Sequence, residues 1–472
     1  MRKTKIVCTI GPACESEEVL TAMCQAGMNV ARLNFSHGTH PEHQKKMDLV
    51  KSVREKLGLP IAIMLDTKGP EYRIRTFQDG KVTLREGDTF AFTTEQIVGD
   101  EHRVSVSYPG MIADLAVGDR ILLNNGLLAF QVEELTDTDA VCRVLVGGET
   151  SNNKSMSFPN KVLNQVYLND QDKADILFGI QNEVDFIACS FVSRRQDLED
   201  IQAFLKENGG EDISLIAKIE NQAGIDNIEE ICQACEGIMI GRGDLGVEVP
   251  FELLPSIQKH LIAKCRQLGK RVITATEMLE SMITNIRPTR AEISDVANAV
   301  YDGSSAVMLS GETAAGRHPV EAVATMAKIA EETEKSINYS KRFHDQYFKI
   351  RSAADAVSHA ACSLAIDIEA DAIAACSLSG ITVRMVSRYR PPMDILGLTT
   401  NERAWRKLAL NWGVTPMMCD EFPSTDVLFY TAQQLAKKTF GLHKGDRLVI
   451  TGGVTSGKSG TTNLIKVETY ER

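Results

Sequence analysis

The chain has 472 residues, 43% of them hydrophobic and 24% charged, and a formal net charge of −11. That length suits two or three domains rather than one, and the composition is that of a soluble globular enzyme or binding protein. The negative balance argues against a nucleic-acid or anionic-membrane partner, and the eleven cysteines follow no framework, which points to free thiols in a reducing compartment.

The first residues, Met-Arg-Lys-Thr-Lys, lead into an apolar run too short for a signal-peptide core before Gly11-Pro12. No stretch approaches the length needed to span a membrane. A cytoplasmic location and no membrane partner are expected.

Apolar runs read as buried strands at Lys5–Gly11, Asn29–Ser36, Pro60–Thr67, Val184–Val192, Ile213–Asn221, Gly237–Gly243, Arg271–Thr276 and Ser305–Gly311. Each is followed by a helical pattern, with one exception. Examples are Ser16–Ala26, Pro41–Leu57, Gln196–Glu207, Glu252–Leu268 and Pro319–Ser336. Ser16 is placed to cap the first of these, with Glu17 and Glu18 in its first turn and Gly27 as its stop. Such repeated units predict an α/β fold: a (β/α)8 TIM barrel whose active site forms at the C-terminal strand ends. Barrel segments are expected at 1–70 and 167–345.

The exception follows the third strand. From 71 to 166 the pattern becomes short alternating runs: Val82/Leu84, Val104/Val106, and Ile121–Leu123 against Leu127–Val132. Asp79-Gly80 and Asn125-Gly126 read as hairpin turns. An inserted all-β lid domain is expected, able to close over the strand ends. From 352 to 472 helices and strands alternate again, predicting a C-terminal open α/β domain.

The densest chemistry is in Ala217-Lys-Ile-Glu-Asn221 and Gly241-Arg-Gly-Asp-Leu-Gly246. Side chains alternate along a strand, so Lys218 and Glu220 share a side. A second strand running into Gly-Arg-Gly-Asp brings Asp244 to the same space. Two carboxylates suit a hard divalent cation such as Mg²⁺ beside a phosphate, with the lysine facing the charge that develops in phosphoryl transfer. A buried ion pair is the other reading. Asn34, Ser36, Asp66 and Thr67 offer only oxygens and one charge, which suits a monovalent cation or a hydrogen-bonded strand-end network. Arg32 and Arg73 flank this group, as phosphate grips or surface ion-pair partners.

Other motifs read more plainly. Cys232 and Cys235 are thiols of an amphipathic helix rather than a zinc or redox pair. His37, His40 and His43 lie where a loop enters a charged helix. Gly452-x-x-x-x-Gly457-Lys458-Ser459 matches a P-loop in its letters, but Ile465–Tyr470 alternates like a strand where a P-loop needs a helix, so an ATPase site is rejected. That loop, and Ser377-Leu-Ser-Gly-Ile-Thr382 between a strand and a helix, can each cradle an anion. For the latter an ordinary capped turn is the equal alternative.

The stretches Thr4-Lys-Ile-Val-Cys-Thr-Ile-Gly-Pro12, Gly27-Met-Asn-Val-Ala-Arg-Leu-Asn-Phe-Ser-His-Gly38, Leu65-Asp-Thr-Lys-Gly-Pro-Glu71, Arg287-Pro-Thr-Arg-Ala-Glu292 and Met308-Leu-Ser-Gly-Glu-Thr-Ala314 resemble the pyruvate kinase family across nearly the whole chain. The resemblance implies phosphoryl transfer from phosphoenolpyruvate to ADP, giving pyruvate and ATP, with Mg²⁺ or Mn²⁺ and K⁺. It implies Lys218, Arg32 and Thr276 as catalytic residues, and Arg32, Gly243, Asp244 and Thr276 at the substrate. It implies Arg73, Lys154, Asn34 and His37 at the nucleotide, Glu220 and Asp244 on Mg²⁺, and Asn34, Ser36, Asp66 and Thr67 on K⁺. Glu71 fits the K⁺-dependent members. A homotetramer is implied, with an effector site at Ser377, Ser379, Gly380, Thr382, Lys458, Gly460 and Thr461. The end at Arg472 implies no further phosphohistidine-like domain.

The chain departs from the family pattern in places. Asn124-Asn125-Gly126 stands for Asp-Asp-Gly, Lys154-Ser-Met-Ser-Phe-Pro-Asn160 for Lys-Gly-Val-Asn-Leu-Pro-Gly, Glu277 for glutamine and Ile286 for proline. Glu277 adds a carboxylate near an anionic substrate and should weaken binding unless paired. A catalytically weakened paralogue with a binding role, and a Mg²⁺-dependent aldolase or decarboxylase, are the alternatives to a working kinase.

Overall fold

The structure is a computed structural model that describes residues 1–159, 161, 163–453 and 462–471. Eight strands close a parallel barrel: β1 (Lys5–Thr9), β2 (Val30–Asn34), β3 (Ala62–Asp66), β4 (Phe186–Cys189), β5 (Ser214–Ile219), β6 (Gly237–Gly241), β7 (Arg271–Ala275) and β8 (Ala306–Leu309). All eight are the sequence-predicted runs, trimmed by a few residues at the ends. Each is buried on both faces, because Val7, Met64, Phe186, Ile216, Ile273 and Met308 fill the interior while the alternate residues pack under the helices. Helix α1 (Glu17–Ala26) starts where Ser16 Oγ accepts the Val19 N–H at 3.3 Å, and stops at Gly27 with φ +123°.

Between β3 and β4 the chain builds a seven-stranded sheet around Phe90, Phe92 and Phe130, whose rings meet edge to face or tilted. The Asn125-Gly126 turn joins antiparallel strands Arg120–Leu123 and Leu128–Leu135. Asn124, Asn125 and Gly126 have φ of +55°, +56° and +79°, a left-handed run that asparagine and glycine adopt at least cost. Asp79-Gly80 does turn, but it makes no hairpin. Lys81–Leu84 pairs instead with Gly148–Ser151, far along the chain.

The C-terminal domain holds β9 (Ala372–Cys376), β10 (Asp394–Thr399), β11 (Val414–Met418), β12 (Arg447–Gly453) and β13 (Thr462–Thr469), in the order β11-β10-β9-β12-β13 with β13 antiparallel. The segment after the P-loop-like letters is thus a strand. No described helix is long and apolar enough to cross a membrane.

Candidate active site

The C-terminal ends of β3, β4 and β5 bring four side chains together, those of Asp66, Ser190, Lys218 and Glu220. Lys218 Nζ lies 3.0 Å from Asp66 Oδ1 and 3.1 Å from Glu220 Oε1, and donates to Ser190 Oγ at 2.6 Å. Glu220 follows β5 on the same side as Lys218, as alternation requires. Its Oε2 accepts the Phe191 N–H at 2.8 Å. Gly241 makes room for it, since a Cβ there would lie 2.7 Å from Glu220 Oε1.

The electrostatics follow from burial and charge. Burial alone depresses the Lys218 ammonium, but Asp66 and Glu220 overcome this and hold it above its ordinary value. Burial would raise the Asp66 carboxyl; Arg32 and Lys218 outweigh it and hold it low. Glu220 is pushed up to about 7 by burial, against the pull of Lys218, with Asp244 adding repulsion. The ion-pair reading of Lys218 therefore describes real contacts, and they lie at the mouth of the barrel.

Arg32 Nε meets Asp66 Oδ2 at 2.6 Å, and its Nη1 donates to Thr9 Oγ1 at 2.8 Å. Asn34 stands opposite Asp66 in register, and its Oδ1 accepts the Ser36 N–H at 3.1 Å. Thr67 is buried beside them, while Ser36 and His37 are exposed.

The strand expected to run to Gly243 stops at Gly241, and Asp244 beyond it is exposed in the first turn of helix α2 (Arg242–Glu248). Its charge still acts on both Glu220 and Lys218. Thr276 and Glu277 follow β7 with φ of +66° and +55°. Thr276 Oγ1 accepts the Gly243 N–H at 2.8 Å and donates to the Ala275 carbonyl at 2.6 Å.

Two residues of this region escaped the sequence reading. Ser190 joins Lys218 to β3 by donating to the Thr67 carbonyl at 2.6 Å, and its place just past a strand end was the available signal. Arg242 clamps the left-handed turn: Nη2 donates to the carbonyls of Thr276 and Glu277 at 2.6 and 2.9 Å, and Nη1 to Asp295 at 2.8 Å.

A cleft of about 350 Å³ separates the inserted sheet from the barrel mouth. Glu71, Arg73, Asn125 and Lys154 line one side, and Asn221, Asp244 and Glu248 the other. Glu71 is ion-paired with Arg73 and lies 3.4 Å from Lys68. The tip of the Asn125-Gly126 turn meets α2, where a Cβ on Gly126 would be 3.3 Å from Val247. Glu277 is exposed and makes no ion pair among the described residues.

In the C-terminal domain, Ser377 to Thr382 link β9 to a helix capped by Gly380, at φ +80°. The Thr382 hydroxyl is buried against that of Thr462 at 2.6 Å, so it is not turned to solvent. The contact sets this turn beside the start of β13. Lys458, Gly460 and Thr461, and likewise Asn160, lie outside the described residues.

A parallel barrel whose strand ends gather a charged lysine, two carboxylates and an arginine beneath an inserted β module is the framework of an enzyme acting on a phosphorylated anion. Family models for the pyruvate kinase barrel domain and the pyruvate kinase alpha/beta domain match residues 1–323 and 355–468. The chain is 46% identical to the pyruvate kinase of Clostridium acetobutylicum over the full length of both. It is 47% identical to that of Staphylococcus haemolyticus, covering 99% of this chain and 80% of that protein. A crystal structure of a pyruvate kinase from Cryptosporidium parvum superposes with a TM-score of 0.95 at 37% identity, covering 99% of this chain and 96% of that one. The chain belongs to the pyruvate kinase family; it is a phosphotransferase, and the family places it in glycolysis.

Proposed function

We propose that the chain passes the phosphoryl group of phosphoenolpyruvate to ADP with Lys218, Arg32 and Thr276 as its catalytic residues. The observation that carries this is Lys218, kept charged between Asp66 and Glu220 at the barrel mouth. An ammonium fixed there stabilises the spread charge of a phosphoryl group in flight without reorganising. Arg32, anchored by Asp66, grips the same group. Gly243, Asp244 and Thr276 seat the carboxylate end, and the Thr276 hydroxyl lies on the route of the proton to the enol.

The donor set fits a divalent cation. Asp244 repels the Glu220 carboxylate, and a cation between them would relieve that repulsion. Mg²⁺ or Mn²⁺ would be held by these two, the rest of its shell being substrate and water oxygens; bound there, it neutralises phosphoryl charge. Asn34, Ser36, Asp66 and Thr67 are all-oxygen donors and suit K⁺. Arg73 and Lys154, on the cleft wall, and Asn34 and His37 would meet the nucleotide, and the inserted module would exclude water that hydrolyses the phosphoryl group.

The reading extends to a homotetramer and to an effector site at the Ser377–Thr382 turn, the latter supported by Gly380, which at φ +80° opens the helix N-terminus there. The test is pyruvate formation from phosphoenolpyruvate and ADP with Mg²⁺, with and without K⁺, in the wild type and Lys218→Met. K⁺-stimulated turnover that the variant loses is expected. A folded wild type with no turnover, effectors included, overturns the reading in favour of a weakened paralogue.

A further inference from the structure

A second cleft, of about 500 Å³, lies at the other end of the barrel, where the strands begin. That volume is in the range of small-molecule sites, roughly 300–1,000 Å³. Its floor is the start of β5 and β7 and the residue before β6. Its roof is the C-terminal domain, through helices α3 (Ile381–Arg388) and α4 (Glu402–Leu408).

The inner wall is cationic. Arg271 from the barrel meets Arg384 and Lys407 from the two roof helices. Glu236 is the carboxylate among them, ion-paired with Arg384 and 3.8 Å from Arg271 Nη1. The other acids lining the cleft, Glu211 and Asp212, are exposed at its rim. Arg271 is 7% exposed. Arg384 Nε is buried with no hydrogen-bond partner among the described residues. Lys407 Nζ donates to the Asp212 carbonyl.

Burial depresses all three cations, Arg271 and Arg384 to about 10 and Lys407 to about 8. Arg271 Nε is held by Asn411 Oδ1 at 2.9 Å, but gathering three buried cations around one carboxylate between two domains still costs stability, and apolar side chains would join the same surfaces better. The arrangement is explained by an anion. Lys206, Glu211 and Asp212 sit exposed at the rim, while the inner wall sets Arg271, Arg384 and Lys407 against Glu236 alone, a local excess of cations that suits the charge of about −1.5 to −2 on a phosphomonoester near neutral pH.

We infer that this cleft binds a small phosphomonoester, its phosphate held among Arg271, Arg384 and Lys407. The rest of the ligand faces the polar rim of Gln202 and Gln233. The cations of this cleft come from the start of β7 and from α3 and α4, away from the barrel mouth, and Ser379 and Gly380 of the effector turn lie at its edge. Gly380 and Ile381 line its edge, so an occupant touches the back of the effector turn as well as the start of β7, the strand that ends at Thr276.

Inorganic phosphate is the probe. It is titrated by calorimetry into the wild type, Arg384→Met and Lys407→Met, with Lys458→Met and Lys218→Met reporting on the effector loop and barrel mouth. The expected result is one binding isotherm weakened roughly tenfold or more in the cleft variants and retained in the other two. An isotherm unchanged in Lys407→Met, or lost in Lys458→Met or Lys218→Met instead, overturns the proposal. Arg384→Met risks misfolding because it strands Glu236, so Lys407→Met decides. Crystals soaked in tungstate give an independent answer: an anomalous peak among Arg271, Arg384 and Lys407 supports the site, and peaks only elsewhere sink it.

Discussion

Lys218 Nζ and Asp66 Oδ1 lie 3.0 Å apart although 152 positions separate them in the chain. They stand on β5 and β3, and Ser190, just past β4, bridges them. Barrel closure is what makes the lysine's environment, so neither residue acts alone. Replacing Lys218 by Met is expected to lower kcat for pyruvate formation by roughly 10³-fold, the scale of losing a cation that faces the transferring group. The fold should survive, since Asp66 keeps Arg32 as partner. Turnover and a melting curve measured together test this, and full activity in the variant would remove Lys218 from the catalytic set.

Arg242 tests whether the left-handed turn matters. Thr276 and Glu277 both sit at positive φ, a conformation that costs non-glycine residues about 1–2 kcal/mol each. Arg242 compensates by gripping both carbonyls. Arg242→Met is expected to lose about 1.5–3 kcal/mol of stability, as for hydrogen bonds to a charged group. By displacing Thr276 it should lower kcat/KM for phosphoenolpyruvate by about 10²-fold. Arg242→Lys should rescue poorly, since an ammonium lacks the planar fork. Kinetics and denaturant melts of both variants decide; unchanged kcat/KM would make Arg242 a stabilising residue only.

Glu277 is exposed and without an ion pair among the described residues. At about 8 Å in water, like charges repel by about 0.5 kcal/mol, roughly twofold in affinity. Glu277→Gln should therefore lower KM for phosphoenolpyruvate about twofold at low salt, leave kcat alone, and lose the difference at high salt. A KM that does not move at low salt shows the charge to be silent.

These residues also mark what was legible beforehand. The barrel strands were readable because burial on both faces leaves continuous apolar runs, and Lys218 and Glu220 shared a side by simple alternation. The strand was read as running to Gly243 because two glycines in Gly241-Arg-Gly-Asp weaken any local helix signal. Tertiary contacts help hold that short helix, among them Arg242 with Asp295 and the Gly243 N–H with Thr276. Asp79-Gly80 carried the right turn chemistry, but the partner of Lys81–Leu84 lies beyond local reach in the chain. Ser190 had no motif of its own. The cationic cleft was invisible, since it joins strand beginnings to helices more than a hundred residues later.

Lys5 offers a test of the seam between barrel and C-terminal domain. It begins β1, is buried, and donates from Nζ to the Val414 carbonyl on β11 at 2.7 Å. Burial, helped by Arg2, depresses its ammonium from 10.5 to about 7. The unfolded chain keeps the proton up to about pH 10.4. Between those values the unfolded state binds more protons than the folded one, so this group's contribution to stability rises with pH. Below pH 7 its full cost is present, and above the unfolded value it is gone. Lys5→Met removes the titration, at a pH-independent cost of leaving Val414 unpaired, about 1–3 kcal/mol. The variant should therefore compare best with the wild type near pH 6 and fall behind it steadily towards pH 10. Denaturant melts of both across that range give the answer: parallel stability curves would mean that Lys5 titrates alike in the folded and unfolded chains.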